Sequence, residues 1–302
     1  MDSARRLAAD GKWREAEQIL AAIADPPAEA LHVRGAALHN LARHDEAAQV
    51  LESALAVDGE GPHAAASVRF LALSHYLTGN AGAARPWLER LRAAGSPGVE
   101  TLHMLGNAYI TARRYDEARD VFAEMYELPR DSAGAWLITG QMIVRQGRED
   151  DAVSVLKRAL EIDPGIPEAS FLLGQIAIFR GEIDEAIGRL RREIHINPNF
   201  AMAYYRLGDA LARREEWNAA IPYLQKAIWL NPAYSGPFIL LGKIYFRQDQ
   251  LAAAEGVLRR AVQMDTQNAS AHYILGQVLS RQGRSEEGRE LILRSQHLRG
   301  QQ

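Results

Sequence analysis

Residues Ala201–Tyr234 read AMAYYRLGDALARREEWNAAIPYLQKAIWLNPAY, and the preceding residues Pro167–Phe200 read PEASFLLGQIAIFRGEIDEAIGRLRREIHINPNF. Both stretches are 34 residues long and share a Leu-Gly pair at positions 7 and 8, Ala at position 20, Leu at position 24 and Pro at position 32. A sequence that repeats its own pattern in this way predicts a small structural unit stacked many times, because one such unit cannot bury its apolar side chains alone.

The same pattern extends in both directions along the chain. Pairs ending in Gly at position 8 recur at Leu105-Gly106, Thr139-Gly140, Leu173-Gly174, Leu207-Gly208, Leu241-Gly242 and Leu275-Gly276. Position 20 is Ala in every unit from Ala16 to Ala254, and position 24 is always a large apolar residue. The pattern predicts a single array over residues 1–302, divided into a partial unit 1–27, full units 28–64, 65–98, 99–132, 133–166, 167–200, 201–234 and 235–268, and a capping unit 269–302.

Each unit carries two apolar stripes at helical spacing. In the unit 201–234 the first stripe is Tyr204, Leu207, Gly208 and Leu211, and the second is Trp217, Ala220, Leu224 and Ala227. Such stripes predict two helices, A and B, that pack against each other and against the next unit. Gly at position 8 and Ala at position 20 are expected to leave room for the large side chain at position 24, and Pro at position 32 to end helix B.

On these residues the repeat resembles the tetratricopeptide repeat, a 34-residue helix–turn–helix unit. The resemblance covers essentially the whole chain. It implies an all-α fold, a right-handed superhelical solenoid of eight full units and a partial N-terminal unit, with a concave face lined by the A helices. It does not extend to the family's carboxylate clamp, since Ile138 stands where that clamp requires Asn.

The composition excludes several kinds of chemistry. There is no cysteine, so disulfides and iron–sulfur clusters are ruled out, and the net charge of -3 gives no nucleic-acid footprint. The chain contains no HExxH, GxSxG, Walker or GxGxxG pattern. His32 and His39 lie seven residues apart and could share a ligand, or could be ordinary polar groove residues. We expect a non-enzymatic protein with no catalytic residue, no metal and no cofactor.

The ends of the chain give weaker signals. The first residues have no apolar signal-peptide core, and no window of 18 apolar residues predicts a membrane span, so we expect no membrane insertion and a cytoplasmic location. The last unit is charged from Arg284 to Arg289, as in a C-terminal cap, although a further helix or domain could follow it. Self-association through this terminal repeat is a third possibility, with apolar surface expected from Leu291, Ile292, Leu293 and Leu298.

The resemblance places ligand contacts on helix A, chiefly at positions 5, 9 and 13. Read down the chain, position 5 is apolar or aromatic from the fourth full unit onward, position 9 is polar and mostly amide from the third, and position 13 is arginine in four of the last five units. The predicted peptide-binding groove therefore comprises Asn107, Leu137, Gln141, Arg145, Phe171, Gln175, Tyr205, Asp209, Arg213, Ile239, Lys243, Arg247, Tyr273, Gln277 and Arg281. A solvated surface with no ligand would show the same polar residues.

These columns lead to two functional hypotheses. The first is a protein–protein interaction scaffold that binds a peptide segment or partner helix in the groove, with the arginines favouring acidic partners and with no nucleic-acid ligand. The charge distribution agrees, because residues 1–151 carry a net negative charge and residues 152–302 a net positive one. The alternative is a regulatory or targeting module of a larger enzyme or secretion assembly.

Overall fold

The computed structural model describes residues 1–95 and 97–301, and these residues form eighteen α-helices and no strand. They divide into two compact units, Met1–Arg148 and Glu149–Gln302, each considered separately below. The division falls between the two helices of the predicted repeat 133–166. The all-α prediction is confirmed, and the single array over 1–302 stays a prediction.

The unit Met1–Arg148 contains nine helices in which each packs against its neighbour in sequence. Their bounds are α1 Asp2–Ala9, α2 Trp13–Ala21, α3 Ala28–Asn40, α4 His44–Val57, α5 Ala64–Leu77, α6 Ala81–Ala93, α7 Val99–Thr111, α8 Tyr115–Met125 and α9 Ala133–Arg145. Odd-numbered helices correspond to the predicted A helices and even-numbered ones to the B helices.

The unit Glu149–Gln302 continues the same alternation through nine further helices. Their bounds are α10 Glu149–Ile162, α11 Ala169–Arg180, α12 Ile183–Ile196, α13 Ala201–Arg213, α14 Trp217–Leu230, α15 Ser235–Arg247, α16 Leu251–Met264, α17 Ala269–Arg281 and α18 Ser285–Arg299. The A helices also contact one another in series, α11 with α13, α13 with α15 and α15 with α17, and so form one layer of a helical stack.

Small residues set the distance between the helices of a pair, as the sequence predicts. A Cβ added to Gly106 would lie 2.5 Å from the ring of Phe122, and one added to Gly208 would lie 2.6 Å from Leu224. Ala220, at position 20 of the same repeat, is completely buried. A methyl group at position 8 therefore needs the position-24 side chain to move, which is costly in a close-packed core.

The turn between helices A and B repeatedly uses a left-handed backbone. Gly79, Gly147, Gly181 and Gly283 have φ values between 68° and 86°, and the non-glycine residues Ala42, Arg113, Glu215 and Asp249 have φ values between 58° and 62°. This conformation turns the chain back on itself within a few residues of the end of helix A. Glycine adopts it without a Cβ clash, whereas the other residues are mildly strained there.

Two prolines lie inside B helices, at Pro86 in α6 and Pro222 in α14. Each is the sixth residue of its helix and therefore removes one hydrogen bond to the carbonyl four residues earlier. Both helices continue past the proline to Ala93 and Leu230. None of the helices formed by residues 1–95 and 97–301 has the length and apolar character needed to cross a bilayer.

Candidate functional site

The predicted groove residues lie on the A helices and divide between the two units. Four of them, Asn107, Leu137, Gln141 and Arg145, lie on α7 and α9 of the first unit. The other eleven lie on α11, α13, α15 and α17 of the second unit. We call the surface formed by these eleven residues, together with the residues that line the same pockets, the A-helix groove.

In the first unit, a pocket of about 520 Å³ is lined by Asn107 and Arg145 together with Tyr76, His103 and Gln146. The Asn107 amide nitrogen donates to the Tyr76 hydroxyl at 3.2 Å, and its oxygen accepts from the Gln146 amide at 3.0 Å. The polar groups of Asn107 are thus largely occupied within the protein. Of the other two predicted residues on α9, both are half-buried and neither lines this pocket.

In the second unit, a pocket of about 600 Å³ brings together five predicted groove residues of α15 and α17. It is lined by Lys243, Arg247, Tyr273, Gln277 and Arg281, and also by Phe246, Ser270, Ile274 and Arg299. Within the described part of the chain, four cationic side chains and no carboxylate line it. We call it the cationic pocket.

The cations of this pocket retain most of their hydrogen-bond donors. The guanidinium of Arg299 lies 5.2 Å from the ring centre of Tyr273, and that of Arg247 lies 5.8 Å from the ring of Trp217. Such contacts with ring faces are electrostatic and leave N–H groups available. Arg281 forms an ion pair with Asp249 at 3.2 Å. Lys243 is exposed and has no carboxylate within 4.0 Å among the residues described.

A second pocket, of about 470 Å³, adjoins the cationic pocket and shares Lys243, Ser270 and Ile274 with it. It is lined by three more predicted residues, Tyr205, Asp209 and Ile239. Asp265 also contributes a carboxylate, so the charge here is mixed. Burial, together with the neighbouring Tyr234 ring 5.4 Å away, raises the pKa of the Tyr205 phenol from 10.0 to about 12.

A third pocket, of about 310 Å³, lies beside α11 and α13 and is lined by the predicted residues Gln175 and Arg213. The aromatic ring in this pocket is Phe179, whose side chain is 81% exposed. Arg213 donates to the Asp209 carboxylate at 3.2 Å, so its charge is balanced within α13. The arginine column at position 13 is therefore uneven, because Arg213 is paired with Asp209 whereas Arg247 forms no ion pair with any residue that the structure describes.

The structure differs from the sequence expectation at Phe171. Its side chain is only 8% exposed and its ring packs 4.7 Å from Phe200, the last residue of the same repeat. Phe171 therefore belongs to the core beneath the groove and offers little surface to a ligand. The exposed aromatic side chain of this repeat is that of Phe179, which occupies position 13, where the repeats immediately before and after it have Arg145 and Arg213.

The exposed apolar surface on α18 is also smaller than the sequence predicts. Leu298 is buried, Leu291 packs into the core of the last repeat, and Ile292 lies against Gly276. Leu293 alone of these four residues is strongly exposed, at 56%. The expected apolar surface is wrong for Leu298 and reduced for the half-buried Leu291 and Ile292, because helix B of this repeat packs on its own helix A.

Two histidines in the first unit form hydrogen bonds between A helices. The Nδ1 atoms of His32 and His39 lie 2.8 and 2.9 Å from the hydroxyls of Ser67 and Ser74. Burial lowers the pKa of both imidazoles, and a second histidine near each, His63 and His44, lowers it further. The described residues contain no group of three or more side chains arranged to hold a metal ion.

Paired A and B helices that repeat along the chain define the class of helix–turn–helix arrays. Family models confirm that this chain belongs to that class. A tetratricopeptide-repeat model matches residues 40–99, 103–167 and 239–302, and two further models of the same repeat match 144–208 and 203–237. The chain therefore belongs to the tetratricopeptide repeat family. No curated protein sequence is a significant match.

Solved structures show the same fold. MamA residues 41 to the end, from Desulfovibrio magneticus RS-1, is 24% identical with a TM-score of 0.52, covering 57% of this chain and 97% of that one. YrrB, described as a TPR protein with an unusual peptide-binding site, is 20% identical with a TM-score of 0.52, covering 61% and 93%. The Cut9–Hcn1 complex of the APC/C gives 18% identity and a TM-score of 0.54, covering 94% and 56%.

Proposed function

We propose that this protein is a non-enzymatic interaction scaffold that binds a peptide segment or a partner helix in the A-helix groove of residues 149–302. The observation that carries the proposal is the cationic pocket, in which five residues from three predicted groove columns meet. Pockets that bind other molecules are typically apolar with a few convergent polar groups, and this one combines Phe246, Tyr273 and Ile274 with an amide and four cations.

The residue types suit a peptide better than a small apolar ligand. The amides of Gln175 and Gln277 can each donate and accept hydrogen bonds, as a peptide backbone requires. Tyr205, Tyr273 and Phe179 supply rings beside them that can hold alternate side chains of an extended segment. The fold is shared with YrrB, which is described as having a peptide-binding site, and this makes a peptide a reasonable class of ligand.

Magnitudes indicate where the affinity must arise. A few hydrogen bonds to the amides contribute about 1 kcal/mol each. Micromolar binding needs about 8 kcal/mol. The remainder must come from buried aromatic contacts and from charged groups, which are the usual hot spots of an interface. Tyr273, which lines the cationic pocket and is partly exposed, is the residue we expect to contribute most.

A selection from a random peptide library against the full chain tests the proposal. We expect peptides that bind with micromolar affinity and that lose most of it when Tyr273 is replaced by alanine. The matched control is Trp229→Ala, which removes an aromatic ring that is 71% exposed on α14 and lines none of the three pockets. Circular dichroism shows whether each variant keeps its helices. Failure to select any peptide, or equal loss in both variants, would contradict the proposal.

Self-association through the terminal repeat stays a separate prediction. Its structural basis is reduced to the exposed Leu293 on α18. Light scattering at high concentration distinguishes the two outcomes, because a monomer has a mass of 33.4 kDa. A mass near that value would leave the groove as the proposed interaction surface.

A further inference from the structure

We propose that the cationic pocket is an acidic-peptide subsite that takes an apolar side chain flanked by carboxylates. This inference rests on the proposed function and deepens it by naming the chemistry of the ligand. It places the selectivity of the groove in the last two repeats, between α15, α17 and the end of α18.

The charge of the pocket is the first argument. Lys243, Arg247, Arg281 and Arg299 line it, and in the parts of the chain that the structure describes no carboxylate does so. Among the residues that the structure describes, Arg281 is the one of these four cations that forms an ion pair, with Asp249, and the two side chains are 55% and 66% exposed. Exposed pairs of this kind contribute little, so a ligand carboxylate can replace Asp249 at small cost.

The contrast with the neighbouring repeat is the second argument. On α13 the arginine of the same column, Arg213, is held by Asp209, and the side chain of Asp209 is only 16% exposed. The adjoining pocket is lined by both Asp209 and Asp265. Of these two adjoining pockets, only the cationic pocket is lined by cations without a carboxylate, and we expect it to prefer acidic ligands more strongly than its neighbour does.

The apolar lining is the third argument. Phe246, Tyr273 and Ile274 line the same pocket, and Arg281 and Arg299 lie over the rings of Phe246 and Tyr273 at 5.6 and 5.2 Å. A side chain inserted between these residues has apolar neighbours, with guanidinium groups close beside it. A volume of about 600 Å³ accommodates a few residues. This arrangement suits a phenylalanine or leucine with carboxylates on both sides.

The probe is a labelled peptide with both ends capped, in which one phenylalanine is flanked on each side by two glutamates. Capping removes the terminal carboxylate, so that any binding reports side-chain recognition. We expect fluorescence anisotropy with the full chain to show binding that is at least tenfold weaker when the glutamates are glutamines, and similarly weaker when the phenylalanine is serine. Raising the salt concentration from about 50 to about 500 mM should also weaken binding of the acidic peptide, because salt screens the attraction between its carboxylates and the cationic side chains.

Variants of the protein locate the subsite. Lys243→Gln and Arg247→Gln should each lower the affinity for the acidic peptide about tenfold, because each removes one charge-assisted contact. Arg260→Gln is the matched control, since Arg260 is exposed on α16, lines none of these pockets and should leave the affinity unchanged. Equal affinity for the glutamate and glutamine peptides, an absence of binding by the acidic peptide, or equal loss in the control would each overturn the inference.

The library selection separates this inference from the proposed function. Selected peptides that lack acidic residues but still depend on Tyr273 would overturn the acidic subsite and leave the peptide scaffold standing. An empty selection together with no binding of the acidic probe would overturn both.

Discussion

At the scale of single residues, the least expected group is the carboxylate of Glu193. It is completely buried on α12 and accepts hydrogen bonds from the backbone N–H groups of Glu168 at 2.9 Å and Phe171 at 3.3 Å. These donors belong to the first turn of α11, which lacks a side-chain cap of its own. Glu193 therefore caps a neighbouring helix from the side.

The titration of Glu193 gives a first prediction. Burial raises its pKa, and the two backbone hydrogen bonds offset this only in part. A raised folded pKa means that the folded state holds the proton more tightly, so the contribution of this group to stability falls as pH rises from about 4.5 through the folded pKa. We expect the stability advantage of the wild type over Glu193→Gln to shrink between pH 4.5 and 7.

Urea unfolding of both proteins at several pH values measures this difference. An advantage that grows with pH would show instead that the hydrogen bonds to the ionised carboxylate outweigh its burial. Because Gln can still accept a backbone hydrogen bond, the variant is expected to fold.

The histidines of α3 give a second prediction with the opposite sign. Burial lowers the pKa of His32 and His39, so the folded state binds protons less well than the unfolded chain, whose histidines titrate near 6.5. The stability that they contribute is complete above pH 6.5 and is lost as pH falls through 6.5 towards the folded pKa values. We expect the stability advantage of the wild type over the double variant His32→Gln, His39→Gln to shrink as pH falls from 7.5 to 5.5.

Glutamine is neutral over this pH range and still offers a hydrogen-bonding group opposite Ser67 and Ser74, so the variant removes mainly the titration. The control is His297→Gln, which changes an exposed histidine on α18. A decrease of the same size in the wild type and the double variant would contradict the prediction.

At the scale of elements, the repeating turn between helices A and B determines where glycine matters. Gly181 has a φ of 77° and open space around it, so alanine there is strained by its backbone conformation alone. We expect Gly181→Ala to lower the free energy of unfolding by about 1 kcal/mol. Gly188 lies within α12 and is also unobstructed, so Gly188→Ala should raise stability by about 1 kcal/mol.

The pair of alanine variants separates backbone conformation from packing, because neither added methyl group meets another atom within 4 Å. Thermal unfolding of the two variants measures the difference. Shifts of the same sign would contradict the assignment of a left-handed turn to Gly181.

The elements themselves could be predicted from the sequence because each is specified locally. The packing of Gly208 against Leu224 follows from a 16-residue spacing that recurs in every full repeat except 65–98, where Ala72 replaces the glycine. The groove was less predictable, because exposure depends on neighbours outside the column. Phe171 is covered by Phe200, and Arg299 enters the cationic pocket from the end of α18, outside the three columns from which the groove is predicted.

At the scale of the whole molecule, each of the two units is held together by contacts between helices that are close in sequence. Stability in such an array is close to a sum of terms within and between adjacent repeats. The short helix α1 buries only Ala4, whereas α4 buries five residues between two neighbouring helices. We expect amide hydrogens of α1 to exchange much faster than those of α4.

Hydrogen exchange monitored by mass spectrometry on the full chain checks this expectation, with peptides from α4 as the internal reference. Equal protection of the two helices would indicate that the first unit opens only as a whole.

Asp249 joins the turn chemistry to the proposed ligand site. Its backbone is in the left-handed region, with a φ of 61°, and its carboxylate holds Arg281 of the following repeat. Glycine at this position would relax the turn and release a guanidinium into the cationic pocket at the same time. At position 249, an unstrained backbone and an ion pair to Arg281 therefore cannot both be provided by the same residue. Asp249→Gly is therefore expected to stabilise the folded chain and to increase the affinity of the cationic pocket for acidic surfaces in general.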